Sequence, residues 1–434
     1  MLKRILSIVI LLGVAAVAVL YWLGTRDGGG AAQTSEMAVQ DMGRVERGRY
    51  LALAANCVGC HTVAGSQAYA GGTPLPTPFG TLYGPNITSD RQYGIGAWSA
   101  DEFWHALHNG KGRNGELLYP GFPYTSFTHI PREDADALYA YFQTVPAAAA
   151  PNRPHELDFP YNHRILMSMW RALFFRPADV SSPQTRQAQD SPDVTPQWLR
   201  GRYLVEGVGH CAACHAPRDI LGASDLSQGM SGGLIPGQDW YAPPLSNDAV
   251  AGVGKWSAEE IATLLKTGVS ARSAVSGPMA EVVSHSTQHL SDPDALAIGV
   301  YLKSLPDTPP SLRARAEPPG EATLARGRKI YEDSCVQCHK ADGAGVAPDW
   351  PPLAGNVSVV APTPVNAIRM VLDGGFAPAT ASNPRPHGMP PFAQRLNDND
   401  IAAVVSYVRN SWGNQGGVVT SLDVKNARNA SAAE

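Results

Sequence analysis

Every cysteine in this 434-residue chain belongs to one pattern, Cys-x-x-Cys-His, which occurs three times. The copies are Cys57-Val-Gly-Cys60-His61, Cys211-Ala-Ala-Cys214-His215 and Cys335-Val-Gln-Cys338-His339. Two thiols on one helical turn can add to the two vinyl groups of a single haem, and the next histidine can bind its iron. Zinc would call for a second paired ligand set close in sequence, and a dithiol redox enzyme has no use for a histidine after every pair. The pattern therefore predicts three covalently bound haem c groups. The six cysteines are the attachment points, and His61, His215 and His339 are the proximal iron ligands. The 43 glycines and 36 prolines imply much turn and loop, which argues against long sheets and helical solenoids.

The length suggests roughly three domains. Hydrophobic residues at 44% give enough apolar mass for packed cores, and charged residues at 17% are too few for a disordered or coiled-coil chain. A net charge of -4 argues against a nucleic-acid partner, which would call for clustered Lys and Arg.

Lys3 and Arg4 precede an apolar run from Ile5 to Leu23. The run can cross a bilayer, at the lower end of the usual ~17–25 residues, and its basic flank keeps the N-terminus in the cytoplasm. It ends in bulky Leu20-Tyr21-Trp22-Leu23, a good interfacial anchor and a poor cleavage site. Residues 1–27 are expected to form an uncleaved single-pass anchor, with a cleaved signal as the alternative. Either way the body lies on the periplasmic side of the inner membrane. Residues 28–39 read as a polar tether.

The rest of the chain repeats itself. Each copy has a glycine in a helical stretch before its haem motif (Gly48, Gly201, Gly327) and a tyrosine in a closing apolar helix (Tyr141, Tyr301, Tyr407). Glycine inside a helix costs about 1 kcal/mol relative to alanine, so its recurrence predicts a close helix crossing with the tyrosine ring against it. Trp98-Ser-Ala-Asp101-Glu102 matches Trp256-Ser-Ala-Glu259-Glu260, each serine a good N-cap, and Gly110 and Gly268 end these helices in register. The arrangement resembles the class I cytochrome c fold. It implies a mainly α, loop-rich chain with three tandem cytochrome c domains behind an N-terminal transmembrane helix. The boundaries read 40–150, an apolar connector 151–194, then 195–308, a linker 309–319, 320–415 and a polar tail 416–434. By the same resemblance, the carbonyls of Pro85, Pro243 and Pro351 accept the Nδ1 proton of the three proximal histidines.

A methionine thioether usually completes such a haem. Met279 and Met389 lie just before the last helices of copies two and three, and are expected to be sixth ligands there. Met230 lies too early in its unit, and Met370 falls within an apolar helical segment. Copy one has Phe122 in the methionine place, and phenylalanine cannot ligate iron. His105 and His108 align with Thr263 and Lys266, which suggests a solvated helix face. His129 aligns with His289 and Arg395, which suggests the haem edge or the surface. The connector Tyr161–Phe175 is unusually apolar and is expected to pack back on domain one. Met167 within it is the first choice for the missing ligand. His129, Met169 or an open position are the alternatives, and the segment can also be read as a simple hydrophobic strap.

Phe79-Gly-Thr-Leu-Tyr83, Asn86-Ile-Thr-Ser-Asp90, Ser286-Thr-Gln-His-Leu-Ser-Asp292 and Asn410-Ser-Trp-Gly413 resemble the triheme cytochrome subunits of bacterial membrane-bound dehydrogenases. That resemblance implies a catalytic partner subunit and electron delivery to ubiquinone or another respiratory acceptor. In the alcohol-dehydrogenase members the Phe122 position is a methionine. The departure favours a partner of the molybdenum-hydroxylase aldehyde type over a quinoprotein or flavoprotein. No flavin, quinone-cofactor or dinucleotide motif suggests catalysis by the chain itself. Two rivals remain at this point: a haem enzyme such as a peroxidase using an open first haem, and a cytochrome subunit of a terminal oxidase.

Overall fold

The computed structural model describes residues 2–27, 41–179, 194–250, 252–307 and 317–431. The tether, most of the 309–319 linker and the end of the 151–194 connector lie outside the described residues. The described chain forms two compact units. The first holds residues up to Val194 with Glu206–His210 and Ile220–Ala223, and the second holds the remainder. Copy one of the repeat thus falls in the first unit, and the haem motifs of copies two and three fall in the second.

The first unit begins with α1 (Leu2–Thr25), followed by α2 (Met42–Ala54) and the cysteine-bearing α3 (Cys57–His61). A small antiparallel sheet comes next, with β1 (Pro74–Thr77) paired to β2 (Gly80–Tyr83) in the register Pro74↔Tyr83. Then come α4 (Ala100–Asn109), α5 (Tyr124–Phe127), α6 (Arg132–Thr144), β3 (Glu156–Leu157) beside β2, and α7 (Leu166–Phe174). Helix α4 starts where its sequence dictates. Ser99 and Glu102 form a reciprocal capping box, and Gly110 closes the helix in the left-handed region at φ 58°.

Helix α2 crosses α6 at Gly48, where a Cβ would overlap the Ala137 carbonyl and come within 2.8 Å of Tyr141 Cβ. The close glycine–tyrosine crossing expected from the repeat is therefore present. Its neighbour Arg47 pairs with Asp134, the third residue of α6. The connector does pack back, as its composition implied. Met167, Trp170 and Phe175 are buried with Tyr124, and Phe122 packs against the same cluster.

The connector also grips the end of α1. Gly24 is buried, and a Cβ there would overlap the Ser168 carbonyl of α7. Arg171, 2% exposed, donates from Nε to the Gly24 carbonyl at 2.7 Å and from its guanidinium to the Asn109 carbonyl. Lys111 reaches the Thr25 carbonyl at 2.8 Å and Asp27 at 2.6 Å. The last carbonyls of a helix have no partner within it and carry partial negative charge, so two cations suit this end.

The second unit contains α8 (Pro196–Arg202), α9 (Ala212–His215), a β4 (Gly233–Ile235) and β5 (Trp240–Ala242) hairpin, α10 (Ala258–Thr267), α11 (Pro278–His285) and α12 (Asp292–Lys303). It continues with α13 (Glu321–Ser334), α14 (Val336–His339), α15 (Val365–Asp373), the short pair β6 (Gly375–Phe376) and β7 (Gly388–Met389), α16 (Asp398–Arg409) and α17 (Ser421–Ser431). The crossing recurs twice. Gly201 meets Ala297 and Tyr301, and Gly327 meets Ala403 and Tyr407. The arginine before each glycine again holds the third residue of the closing helix: Arg200 to Asp294 at 2.8 and 2.7 Å, and Arg326 to Asp400 at 3.0 and 2.7 Å.

Copies two and three are tied together within this unit. The Asn366 side chain brackets the Tyr241 backbone, accepting from its N–H at 2.9 Å and donating to its carbonyl at 2.7 Å. Arg369 lies over the Trp240 ring at 4.9 Å and donates to the Gln238 carbonyl at 2.8 Å.

One boundary needs correction. The stretch 416–434, read as a polar tail, contains α17, whose Val424 and Ala427, with Val419 just before it, are buried against Ile368, Leu372, Ile401 and Val405. Arg428 pairs with Asp398 at 2.9 Å. A stripe of so few apolar positions among polar residues is enough for a helix that covers an existing core, though too weak to announce one.

Candidate functional site: three histidines on proline carbonyls

The three candidate proximal sites are alike. His61 Nδ1 lies 2.7 Å from the Pro85 carbonyl, His215 Nδ1 2.6 Å from that of Pro243, and His339 Nδ1 3.1 Å from that of Pro351. A carbonyl can only accept, so each Nδ1 carries the proton and each Nε2 keeps its lone pair. Burial holds all three imidazoles below the usual histidine range, the proline contacts opposing it. Neutral, oriented imidazoles with one free nitrogen are the donors that iron needs.

The six cysteines are unbridged and half-buried. Burial, reinforced by the neighbouring thiol, pushes Cys57 and Cys211 up to about 12 and Cys335 up to about 11, so they stand as neutral thiols. Cysteines outside any disulfide, on the helical turn that carries the histidine, fit covalent haem c. Backbone approaches the first motif closely. Gly84 leaves no room for a Cβ beside the Cys60 carbonyl, which lets the Pro85 segment reach His61.

The candidate sixth ligands differ in setting. Met279 is half-buried at the start of α11, after Gly277 at φ 54°. Met389 is half-buried in β7, opposite Gly375. Met230 is buried, and Met370 sits within α15. In copy one the Phe122 ring packs edge-on against Phe127 at 5.4 Å, and Met167 is 8% exposed in the cluster that Phe122 borders.

The histidines of copy one need a correction. His108 is not on a solvated face: it is 3% exposed and stacks on Trp104 at 4.3 Å. Neither ring nitrogen has a hydrogen-bond partner among the described residues. Its counterpart Lys266 reaches outward to Leu290 and Asp292, but the chain after α7 runs alongside in copy one, with the Ala178 N–H donating to Thr128 Oγ1 at 2.8 Å. Burial lowers the affinity of His108 for a proton. The Thr128 backbone and Asp179 oppose this, while His105 and His129 reinforce it. His155 is lowered by burial and then by Arg164. Its Nδ1 accepts from the Tyr83 N–H at 3.1 Å, and its ring meets Tyr119 edge-on.

Both folded rings therefore prefer the neutral state, while the unfolded chain takes up protons near the ordinary value of 6.5. Stability should be flat above about pH 7, fall as pH drops below about 6.5, and level off once the folded rings also protonate. Denaturant melts of the holoprotein between pH 7.5 and 5.5 check this. His155→Gln, which keeps an acceptor for Tyr83, should flatten part of the fall; a gain in stability on acidification contradicts the reading.

The arginine–aspartate pairs were not anticipated, although an arginine precedes the helix glycine at the head of every copy. They fasten the helix crossing that frames each haem motif.

The cytochrome c family profile matches residues 45–146 and 324–412. The alcohol dehydrogenase (quinone) cytochrome c subunit of Gluconacetobacter polyoxogenes is 40% identical over 411 residues, covering 90% of this chain and 86% of that one. The gluconate 2-dehydrogenase cytochrome c subunit of Pantoea cypripedii is 39% identical over 404 residues, covering 88% and 89%. The fructose dehydrogenase cytochrome subunit of Gluconobacter japonicus is 34% identical over 412 residues, covering 88% and 82%. Identity at this level along nearly the whole length, on top of three matching histidine–proline sites, places the chain in the family of cytochrome c subunits of dehydrogenase complexes.

Proposed function

We propose that the chain is a triheme electron-transfer subunit, carrying electrons from a catalytic dehydrogenase subunit to ubiquinone or another respiratory acceptor. The observation that carries this is the threefold recurrence of a histidine held by a proline carbonyl beside two cysteines that form no disulfide. Haem c, when bound, supplies reversible one-electron chemistry at its iron. The protein's part is to hold and tune. Cys57 and Cys60, Cys211 and Cys214, and Cys335 and Cys338 would carry the thioether links to the haem. His61, His215 and His339 would each supply an imidazole nitrogen to an iron, and Met279, Met389 and, in copy one, Met167 would supply the thioether sulfurs. Methionine ligation raises the potential, which suits onward transfer to a respiratory acceptor.

The helix α1 supports attachment to the inner membrane, with the body on the periplasmic side. Relatives named as dehydrogenase cytochrome subunits support the wire over a peroxidase or a terminal-oxidase subunit. For the partner we favour the molybdenum-hydroxylase aldehyde type. The reading rests on Phe122, and identifying the large subunit that co-purifies in detergent tests it.

Holoprotein purified alone should contain three haems per chain, take up three electrons in a reductive titration, and oxidise no alcohol or aldehyde. Two haems per chain, or substrate turnover without a partner subunit, overturns the proposal.

A further inference from the structure

Among the described residues, helix α7 leaves one face uncovered. Met167 and Trp170 point into the core, while Ser168 and Arg171 meet the end of α1. The third face carries Ile165, Met169 and Leu173 at four-residue spacing, with Ile165 63% and Leu173 56% exposed and Met169 half-buried. From the core side the Trp170 indole donates to the Leu221 carbonyl at 3.0 Å, and Ile220, next in sequence, is 93% exposed. Large aliphatic side chains grouped in this way mark a contact surface.

What covers this face follows from its neighbour. Helix α1 has 24 residues and so is about 36 Å long, more than the ~30 Å of bilayer hydrocarbon. Its last turn, where Gly24 meets Ser168, therefore emerges at the outer boundary of the membrane, just past Tyr21 and Trp22. Arg171 and Lys111 clamp that turn, which sets α7 at the same depth. Arg164 and Arg176 flank α7, as cations flank helices that rest among lipid headgroups.

We propose that the Ile165–Met169–Leu173 face of α7 is seated in the outer headgroup–acyl boundary of the bilayer beside α1. The first unit is then attached to the membrane at two places. The inference rests on α1 spanning the membrane, which the same experiment reads out separately.

The test uses the full-length holoprotein in nanodiscs that contain phosphatidylglycerol with a diazirine on its upper acyl chain. After illumination, lipid adducts are mapped by mass spectrometry. Adducts on α1 and on residues 165–173 are expected. In the double variant Ile165→Ser/Leu173→Ser, which removes two exposed side chains and no core contact, labelling of 165–173 should drop about tenfold while α1 keeps its adducts. Adducts on α1 alone overturn the proposal, and adducts on neither overturn the membrane span as well. Strap labelling unchanged in the double variant also overturns it. So does strap labelling that appears only when a dehydrogenase subunit is present, because the face then belongs to the assembled complex.

Discussion

Replacing Gly327 by alanine should destabilise the third copy by roughly 2 kcal/mol, although alanine is the better helix former by about 1 kcal/mol. The new Cβ would overlap the Ala403 carbonyl and come within 2.7 Å of Tyr407 Cβ. No rotamer relieves a clash with backbone, so α13 and α16 must separate. Separation also pulls Arg326 from Asp400 and loosens the tilted ring contact of Tyr331 with Tyr407. Overpacking costs up to about 3 kcal/mol or more, which outweighs the propensity gain. Denaturant melts of the holoprotein read the outcome, and Gly48→Ala and Gly201→Ala should move in the same direction. A stabilised Gly327→Ala variant would mean that propensity alone governs the position, and that the crossing is not close.

The second large effect is expected at the first haem. Met167→Leu keeps the volume of a buried side chain, so the connector should stay packed at a cost below about 1.5 kcal/mol. If its thioether is the sixth ligand of copy one, one haem of three should lose methionine-type ligation. Its potential should fall by on the order of 100 mV, within the ~0.8 V that axial ligands span. The other two haems should keep their spectra. Met169→Leu, on the opposite side of α7, should change little. A variant with all three haems spectroscopically unchanged rejects the assignment, and His129→Ala becomes the next substitution to test.

What could be read from the sequence was what the repeat displayed two or three times over. Gly48, Gly201 and Gly327 announced a close crossing because an unexplained helix glycine is costly. The serines at 99 and 257 announced helix starts because they cap backbone donors locally. The prolines at 85, 243 and 351 needed the family resemblance, since a turn proline and a histidine acceptor look the same in one dimension. Features confined to one copy are harder to read. Alignment with Lys266 points His108 to solvent, yet its ring is buried and stacked on Trp104. The grip of Arg171 on Gly24 joins residues 147 positions apart. No local pattern encodes it, because an arginine in an apolar strap gives no hint of which carbonyls it will serve. The α17 helix escapes a sequence reading because its apolar stripe makes sense only beside the core that it completes.

That grip bears on rate as well as attachment. Electron exchange with an acceptor dissolved in a lipid film weakens exponentially with separation. A domain swinging on a loose cord would sample many separations, and its rate would be dominated by rare close visits. On the proposed reading, with α1 in the membrane and the acceptor dissolved in it, a first unit held at the end of α1 by Arg171 and Lys111 instead presents a narrow range of separations to the film. On that reading throughput at that step would follow from the contacts of Arg171 and Lys111 with the end of α1.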